Sequence, residues 1–201
     1  MKKNKILLTG GAGYIGSMLA TELISLGYQV TIIDNFLFSQ DSLNHLCFSE
    51  NLKIIKGDVR DKNLIKQYLK DIDIIIPLAA YVGAPLCSFD PVGAKTTNND
   101  AIKSMLEIVS KEQLILMPTT NSAYGSGDSN NFCNEESLLN PISQYARDKV
   151  EVEKIIMSRE NSISFRLATV FGMSYRMRLD LLVNDFTYRA VKDKFLILFE
   201  S

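Results

Sequence analysis

Histidine is almost absent from the sequence: His45 is the only one, and it lies in a polar connecting segment. That excludes a Ser-His-Asp triad and histidine-rich metal centres, so any proton transfer must run without imidazole and no metal site is expected. Cysteine is scarce too. Cys47, Cys87 and Cys133 are odd in number and far apart, with no CxxC spacing for a metal knuckle or a redox pair. They read as reduced thiols of a cytoplasmic protein. Long apolar runs are missing, since none approaches the ~18 residues of a membrane helix. The basic start MKKNK is followed only by Ile6 to Leu8 before glycines intervene, too short for the apolar region of a signal peptide. Excess charge of either sign is missing as well. Lysine and arginine total 22 against 23 acids, for a net charge of -1, which gives no reason to expect nucleic acid or a membrane as partner. A small polar ligand is the expectation that remains. The 201 residues, 46% of them hydrophobic, suffice for one core with a short appendage.

What is present is a regular beat. Short apolar runs at 5–9, 29–34, 52–57, 71–80, 113–119 and 162–168 read as strands, and amphipathic stretches at 14–26, 61–70, 92–110 and 143–159 have helical length. Alternating strands and helices with unbroken apolar strands predict an α/β fold, a doubly wound, Rossmann-like parallel sheet covered on both faces. No internal repeat or low-complexity tract interrupts it. The composition loosens only at 126–131, SGDSNN, which reads as a surface loop.

The stretch LLTGGAGYIGS carries Gly10, Gly13 and Gly16 between the first strand and the first helix. At this spacing the first glycine permits a tight turn, the second lets a pyrophosphate approach the backbone, and the third lets helix and strand pack closely. The second strand ends in Asp34, 18 residues after Gly16, near the ~20-residue offset at which a carboxylate meets an adenosine ribose. Strand, glycines, helix, strand and acid arrive in order, so a dinucleotide is the expected ligand. Further on, SQYARDKVEVEK places Tyr145 and Lys149 four apart on one helical face. The ammonium of Lys149 is expected to lower the phenol's pKa from ~10 towards neutrality and make Tyr145 a general base. By itself such a pair is equally a solvated tyrosine and lysine; its place after the fifth strand of a dinucleotide fold favours chemistry.

These segments, with GDVRD (57–61), LAA (78–80), Asn98, PTTNSAYG and FRLATVFG, resemble the extended short-chain dehydrogenase/reductases that act on nucleotide sugars, along essentially the whole chain. The resemblance implies NAD as cofactor and a nucleotide-diphosphate sugar as partner. It places the cofactor against Gly10, Gly13, Tyr14, Ile15, Gly16, Asp34, Asn35, Asp58, Val59, Leu78, Ala79, Ala80 and Asn98, with Tyr145 and Lys149. Asp58 and Val59 would hold the adenine and Lys149 the nicotinamide ribose. Asn98 would help anchor the active-site helix, and is equally readable as a helix cap. Thr120 would orient the substrate hydroxyl and Tyr145 take its proton. Val82, Asn121, Ser122, Thr169, Arg178 and Asn184 are the substrate-side candidates, the last two for the diphosphate, although Arg178 is equally a surface arginine.

Sugar 4,6-dehydratases of this family carry an Asp-Glu pair after the active-site threonine, where this chain has Asn121 and Ser122, so dehydration is disfavoured. A 4-epimerase or a 4-dehydrogenase remains. Several segments look closest to a subgroup that includes a bacterial GDP-heptose 4-dehydrogenase. Family members continue well beyond the point where FLILFES ends this chain. The expectation is therefore a cofactor-binding domain over 1–172, followed over 173–201 by the loosely packed start of an incomplete substrate lobe. A dinucleotide-binding module without turnover is the alternative. The helices near 92–110 and 143–159 correspond to a homodimer interface in the family.

Overall fold

Six strands, β1 (Lys5–Thr9), β2 (Gln29–Asp34), β3 (Leu52–Lys56), β4 (Ile74–Pro77), β5 (Leu114–Thr120) and β6 (Ser162–Leu167), pair in parallel in the computed structural model, which describes residues 4–126 and 132–198. Their order is β3-β2-β1-β4-β5-β6. The chain thus reverses direction of winding between β1 and β4, as in a Rossmann-like fold, and the carboxyl ends of the strands there frame a crevice. The α/β class and the doubly wound sheet expected from the sequence are what the chain adopts. Of the loop expected over 126–131, only Ser126 falls within the described residues.

Strand residues alternate between two apolar layers. Leu7, Ile33, Ile75, Ile115 and Met117 pack on one face with Ile65 and Leu69 of α2 (Lys62–Leu69), Ile102 and Met105 of α5 (Ala101–Leu106), and Val152 and Ile156 of α6 (Gln144–Met157). Ile6, Leu8, Val30, Ile32 and Ile76 pack on the other with Ala20 of α1 (Tyr14–Ser25) and with Leu43 and Leu46. Cover on this second face is partial, unlike the expectation. Ile163 and Phe165 of β6 pair with Leu116 and Pro118 on the α1 side of the sheet, yet remain 46% and 43% exposed. The opposite side of β6 is polar: Ser164 and Arg166 there bond Glu153 of α6, at 2.8 and 3.0 Å. The edge strand therefore turns its polar side inward and its apolar side out.

Two further departures have local causes. The helix expected over 92–110 is broken into α4 (Pro91–Lys95), a π-helical turn (Thr96–Asp100) and α5. The wide turn lets the neighbours Asn98 and Asn99, 1% and 0% exposed, both bury their amides against different partners. Asn98 grips the backbone of Tyr81, accepting from its N–H at 2.8 Å and donating to its carbonyl at 2.9 Å, while Asn99 donates to Glu151 of α6 at 2.7 Å. The sequence reading also lacks two helices, α3 (Ala84–Phe89) and α7 (Leu182–Lys192). The segment that leads into α7 is not loose. Ser174 Oγ donates to Tyr14 O at 2.7 Å, and Tyr175 stacks on His45 with centroids 3.6 Å apart, so this strap is stitched to the start of α1. Apolar side chains are nonetheless open to solvent both along this segment and after it: Phe171, Met173 and Leu182 are 63, 88 and 62% exposed, and Val191, Phe195, Ile197 and Leu198 are 62–69% exposed.

The first glycine turn sets how α1 sits. Gly10 has φ +70°, and a Cβ there would lie 2.6 Å from Ala79 N; a Cβ on Gly16 would lie 2.4 Å from the carbonyl oxygen of Gly10. Both obstacles are backbone and cannot rotate away. Gly16→Ala should therefore destabilise the chain by about 1–3 kcal/mol through overpacking. Urea unfolding checks this, with a lower midpoint at unchanged slope as the expected result.

Candidate active site

The carboxyl ends of β4, β5 and β6 meet the first turn of α1 around a cleft of about 360 Å3. Of the predicted residues it brings together Tyr14, Ile15, Leu78, Ala80, Val82, Thr120, Asn121, Ser122, Tyr145, Lys149, Thr169 and Arg178. Thr120 ends β5, and its Oγ1 accepts from Ser122 N at 3.1 Å, which turns the chain and presents the threonine at the cleft rim. Tyr145 and Lys149 come from α6, whose start is fixed by Ser143 accepting from Ala146 N at 3.1 Å. One turn past Lys149, the buried Glu153 carboxylate takes both Arg166 Nε and Ser164 Oγ, at 3.0 and 2.8 Å. Arg166 Nη1 in turn donates to Tyr124 Oη at 3.0 Å, just after Thr120. One internal ion pair thus holds the helix of Tyr145 and the loop of Thr120 in register; nothing in the YxxxK spacing announces it.

The other predicted cofactor residues lie outside the cleft. The Asp34 carboxylate, 6% exposed, accepts from Ala12 N at 3.0 Å and Phe36 N at 2.8 Å, tying the glycine turn to the end of β2. Asn35 accepts from Leu37 N at 3.0 Å in a local turn. Asp58 is held by Arg60, whose Nε and Nη2 lie 2.9 and 2.6 Å from its two oxygens; this pairing keeps the Asp58 carboxyl below its ordinary range. Arg60 was not singled out from the sequence, because an Asp-x-Arg spacing is ordinary. Val59 packs against the core, and Ala79 N lies 3.4 Å from Thr9 Oγ1. Asn98 is not among the residues that line the cleft, and its amide is taken up by the Tyr81 backbone, while its neighbour Asn99 donates to Glu151 of α6. Asn184 is also away from the cleft lining, with both ends of its amide taken up by Gly172, Tyr14 and Arg178 at 2.8, 3.0 and 2.9 Å. Among the described residues no cluster of potential metal ligands occurs, and no helix is long and apolar enough to cross a membrane. The cysteines are free, Cys87 buried and Cys47 and Cys133 exposed.

The electrostatics differ from the expected arrangement. Burial raises the Tyr145 phenol above its ordinary value, the Cys87 thiolate would raise it further, and the cation that pulls it down is Arg178. Lys149 is itself pushed down to about 8 by burial. It is 5% exposed and its ammonium has one distant acceptor among the described residues, Pro118 O at 3.5 Å. An ammonium with three donors and so little to bond suits the hydroxyls of a ribose, which is the fit a dinucleotide requires. The glycine turn adds a bare backbone at the N-terminus of α1, where phosphates are favoured.

The chain belongs to the NAD dependent epimerase/dehydratase family, whose pattern it matches over residues 6–198. Among curated relatives, the UDP-N-acetyl-alpha-D-glucosaminuronate decarboxylase of Bacillus cytotoxicus is 34% identical over 126 residues, covering 62% of this chain and 39% of its own length. The UDP-glucuronic acid decarboxylase 1 of Danio rerio is 25% identical over 210 residues, covering 99% and 49%. Among solved structures, the UDP-N-acetylglucosamine 4-epimerase from Methanobrevibacter ruminantium M1, in complex with UDP-N-acetylmuramic acid, matches with a TM-score of 0.85 at 26% identity, over 100% of this chain and 67% of that one. The UDP-glucuronic acid 4-epimerase from Bacillus cereus, in complex with UDP-glucuronic acid and NAD, matches with a TM-score of 0.79 at 26% identity, over 94% and 63%. The chain spans about half or less of the length of these two curated relatives.

The buried lysine generates a stability prediction. Because Lys149 titrates lower in the folded chain than in the unfolded one, the unfolded state binds more protons between about 8 and the ordinary 10.5. Its destabilising effect is therefore full below about pH 8 and fades as pH rises through that window. Lys149→Met, which keeps the volume and removes the charge, should stabilise the chain by roughly 1–3 kcal/mol at pH 7 and by less at pH 10. Thermal melts of both proteins at the two pH values check it.

Proposed function

We propose that the protein is an NAD-dependent enzyme that oxidises a nucleotide-diphosphate sugar at C4, as a 4-epimerase or a 4-dehydrogenase. The observation that carries this reading is the convergence of Thr120, Tyr145 and Lys149 in one cleft beside the glycine turn. NAD, when bound, supplies the hydride acceptor. Asp34 would hold the adenosine ribose at the end of β2, and Lys149 would hold the nicotinamide ribose from inside the cleft. Thr120 orients the sugar hydroxyl, and Tyr145 as phenolate takes its proton. Asn121 and Ser122, at the rim, offer no carboxylate for the elimination of water. The relatives named above act on UDP-sugars by their own names; resemblance within the family adds a GDP-heptose as a candidate substrate.

The exposed apolar side of β6 and the exposed apolar residues over 191–198 support a division into a cofactor domain over 1–172 and a substrate-side segment over 173–201. A second groove, of about 940 Å3, runs along β6 and α6 between Tyr124, Phe165 and Met157 and fits the same reading. The same exposure favours, as the second reading, a module that binds the dinucleotide without turnover. A homodimer through the helices over 92–110 and 143–159 completes the proposal.

Two measurements test it. Calorimetry should show NAD binding at least ~10-fold more tightly than NADP, because the Asp34 carboxylate repels a 2′-phosphate; equal or reversed affinities contradict the cofactor assignment. Incubation with UDP- and GDP-sugars and NAD should form reduced cofactor, and Tyr145→Phe should slow this by ~100-fold or more while leaving NAD affinity nearly unchanged. NAD binding with no oxidation of either sugar class favours the non-catalytic module.

A further inference from the structure

The three strands at one end of the sheet lie side by side in the order β1, β2, β3, and each leads into a different polar element. The glycine turn follows β1, the Asp34 carboxylate closes β2, and Asp58 stands two residues past the end of β3. Asp34 pairs in register with Lys56, and Gly57 N donates to Asp34 O at 2.9 Å, so the Asp58 loop is tied to the end of its neighbour. With strands ~4.8 Å apart, a ligand whose phosphates sit on the glycine turn and whose ribose meets Asp34 carries its base outward over the end of β3. There the Asp58 carboxylate is held by a single residue. Arg60 donates to it from its backbone N–H to Oδ1 at 2.9 Å, from Nε to the same oxygen at 2.9 Å, and from Nη2 to Oδ2 at 2.6 Å. Nη1 of the same guanidinium lies 3.4 Å from Thr96 Oγ1, at the start of the π-helical turn.

We propose that Arg60 is the positioning residue that fixes Asp58 to read the 6-amino group of the cofactor's adenine. This rests on the reading of a dinucleotide as cofactor, and it adds to that reading a choice of base. The backbone N–H holds Oδ1 alone, and a carboxylate held at one oxygen can turn about it; the fork of Nε and Nη2 fixes its plane. Paired in this way the carboxyl stays ionised, so it can only accept. A carboxylate has roughly four acceptor positions, and the contacts of Arg60 leave about one, on Oδ2. One N–H donor completes the set, and the amine of adenine supplies it. The carbonyl oxygen that hypoxanthine carries at the same position would set acceptor against acceptor. The two side chains are 45% and 33% exposed, where an ion pair contributes little to stability. The worth of the pair lies in the orientation it gives Asp58.

Calorimetric titration with NAD and with nicotinamide hypoxanthine dinucleotide, which exchanges the 6-amino group for a carbonyl oxygen, is the test, and it needs no turnover. The wild-type protein should bind NAD ~10-fold or more tightly than the hypoxanthine analogue, the size expected for one hydrogen bond to a charged acceptor. Arg60→Ala should reduce that ratio by about threefold or more. Arg60→Lys, whose ammonium is a point charge without a fork, should reduce it by less, and Asp58→Ala should abolish it. A merely structural loss weakens both ligands alike and leaves the ratio unchanged, so an undiminished ratio in Arg60→Ala overturns the proposal. If that variant does not fold, as circular dichroism reports, an undiminished ratio in Arg60→Lys does so. Equal or reversed wild-type affinities for the two dinucleotides overturn it too, with the cofactor reading intact. A wild-type protein that binds neither dinucleotide refutes the cofactor reading itself, and the proposal falls with it.

Discussion

The start of α1 lies so close to the first turn that a methyl group on Gly16 would stand 2.4 Å from the carbonyl oxygen of Gly10. That contact brings α1 down onto the junction of β1 and β4, where the sheet reverses its order. Everything functional is arranged around it. The turn exposes backbone N–H groups at the helix start, the Asp34 carboxylate reaches back to Ala12, and Tyr14 emerges at the point where the strap can be hooked. A wider helix-to-sheet spacing would leave each of these groups out of reach of its partner.

On the other side of the cleft the constraint is electrostatic. Lys149 is held in the interior without good acceptors, a situation that hydrophobic burial must offset. The neighbouring Arg166–Glu153 pair is also internal, but it has partners on both sides: the guanidinium has Glu153, Tyr124 and Glu135 O, and the carboxylate has Ser164 as well. One buried charge is satisfied and fixes the helix, whereas the other is unsatisfied and faces a ligand site. The contrast within a single helical turn separates a structural ion from one kept for binding.

The repeating strands and the glycine turn were legible in the sequence because each is a local pattern. So was the pairing of Tyr145 with Lys149, which a regular helix guarantees. What escaped is joined over long distances. The bonds that make the strap connect Tyr14 to Gly172 and Asn184, more than 150 residues away, and no periodicity records them. Arg178 was visible as an arginine in a polar run, but the bond from the buried amide of Asn184 to its carbonyl oxygen was not. The sequence singled out Asn98, but neither its bonds to the Tyr81 backbone nor the bond of its neighbour Asn99 to Glu151 of α6 could be read from spacing. Hydrophobic periodicity also misjudged β6, where Ser164 and Arg166 take the inward side because Glu153 is there to receive them.

The π-helical turn at Thr96–Asp100 also bears on how this segment can change over evolutionary time. A π turn takes about one residue more than an α turn, so removing one residue from it would restore an ordinary helix with Ile102 and Met105 of α5 still directed at the core. What such a deletion would cost is the placement of two neighbouring buried amides, because Asn98 and Asn99 could no longer both reach Tyr81 and Glu151. The extra residue behaves as an insertion that the helix absorbs, and its worth lies in the side chains it places rather than in the length of the chain.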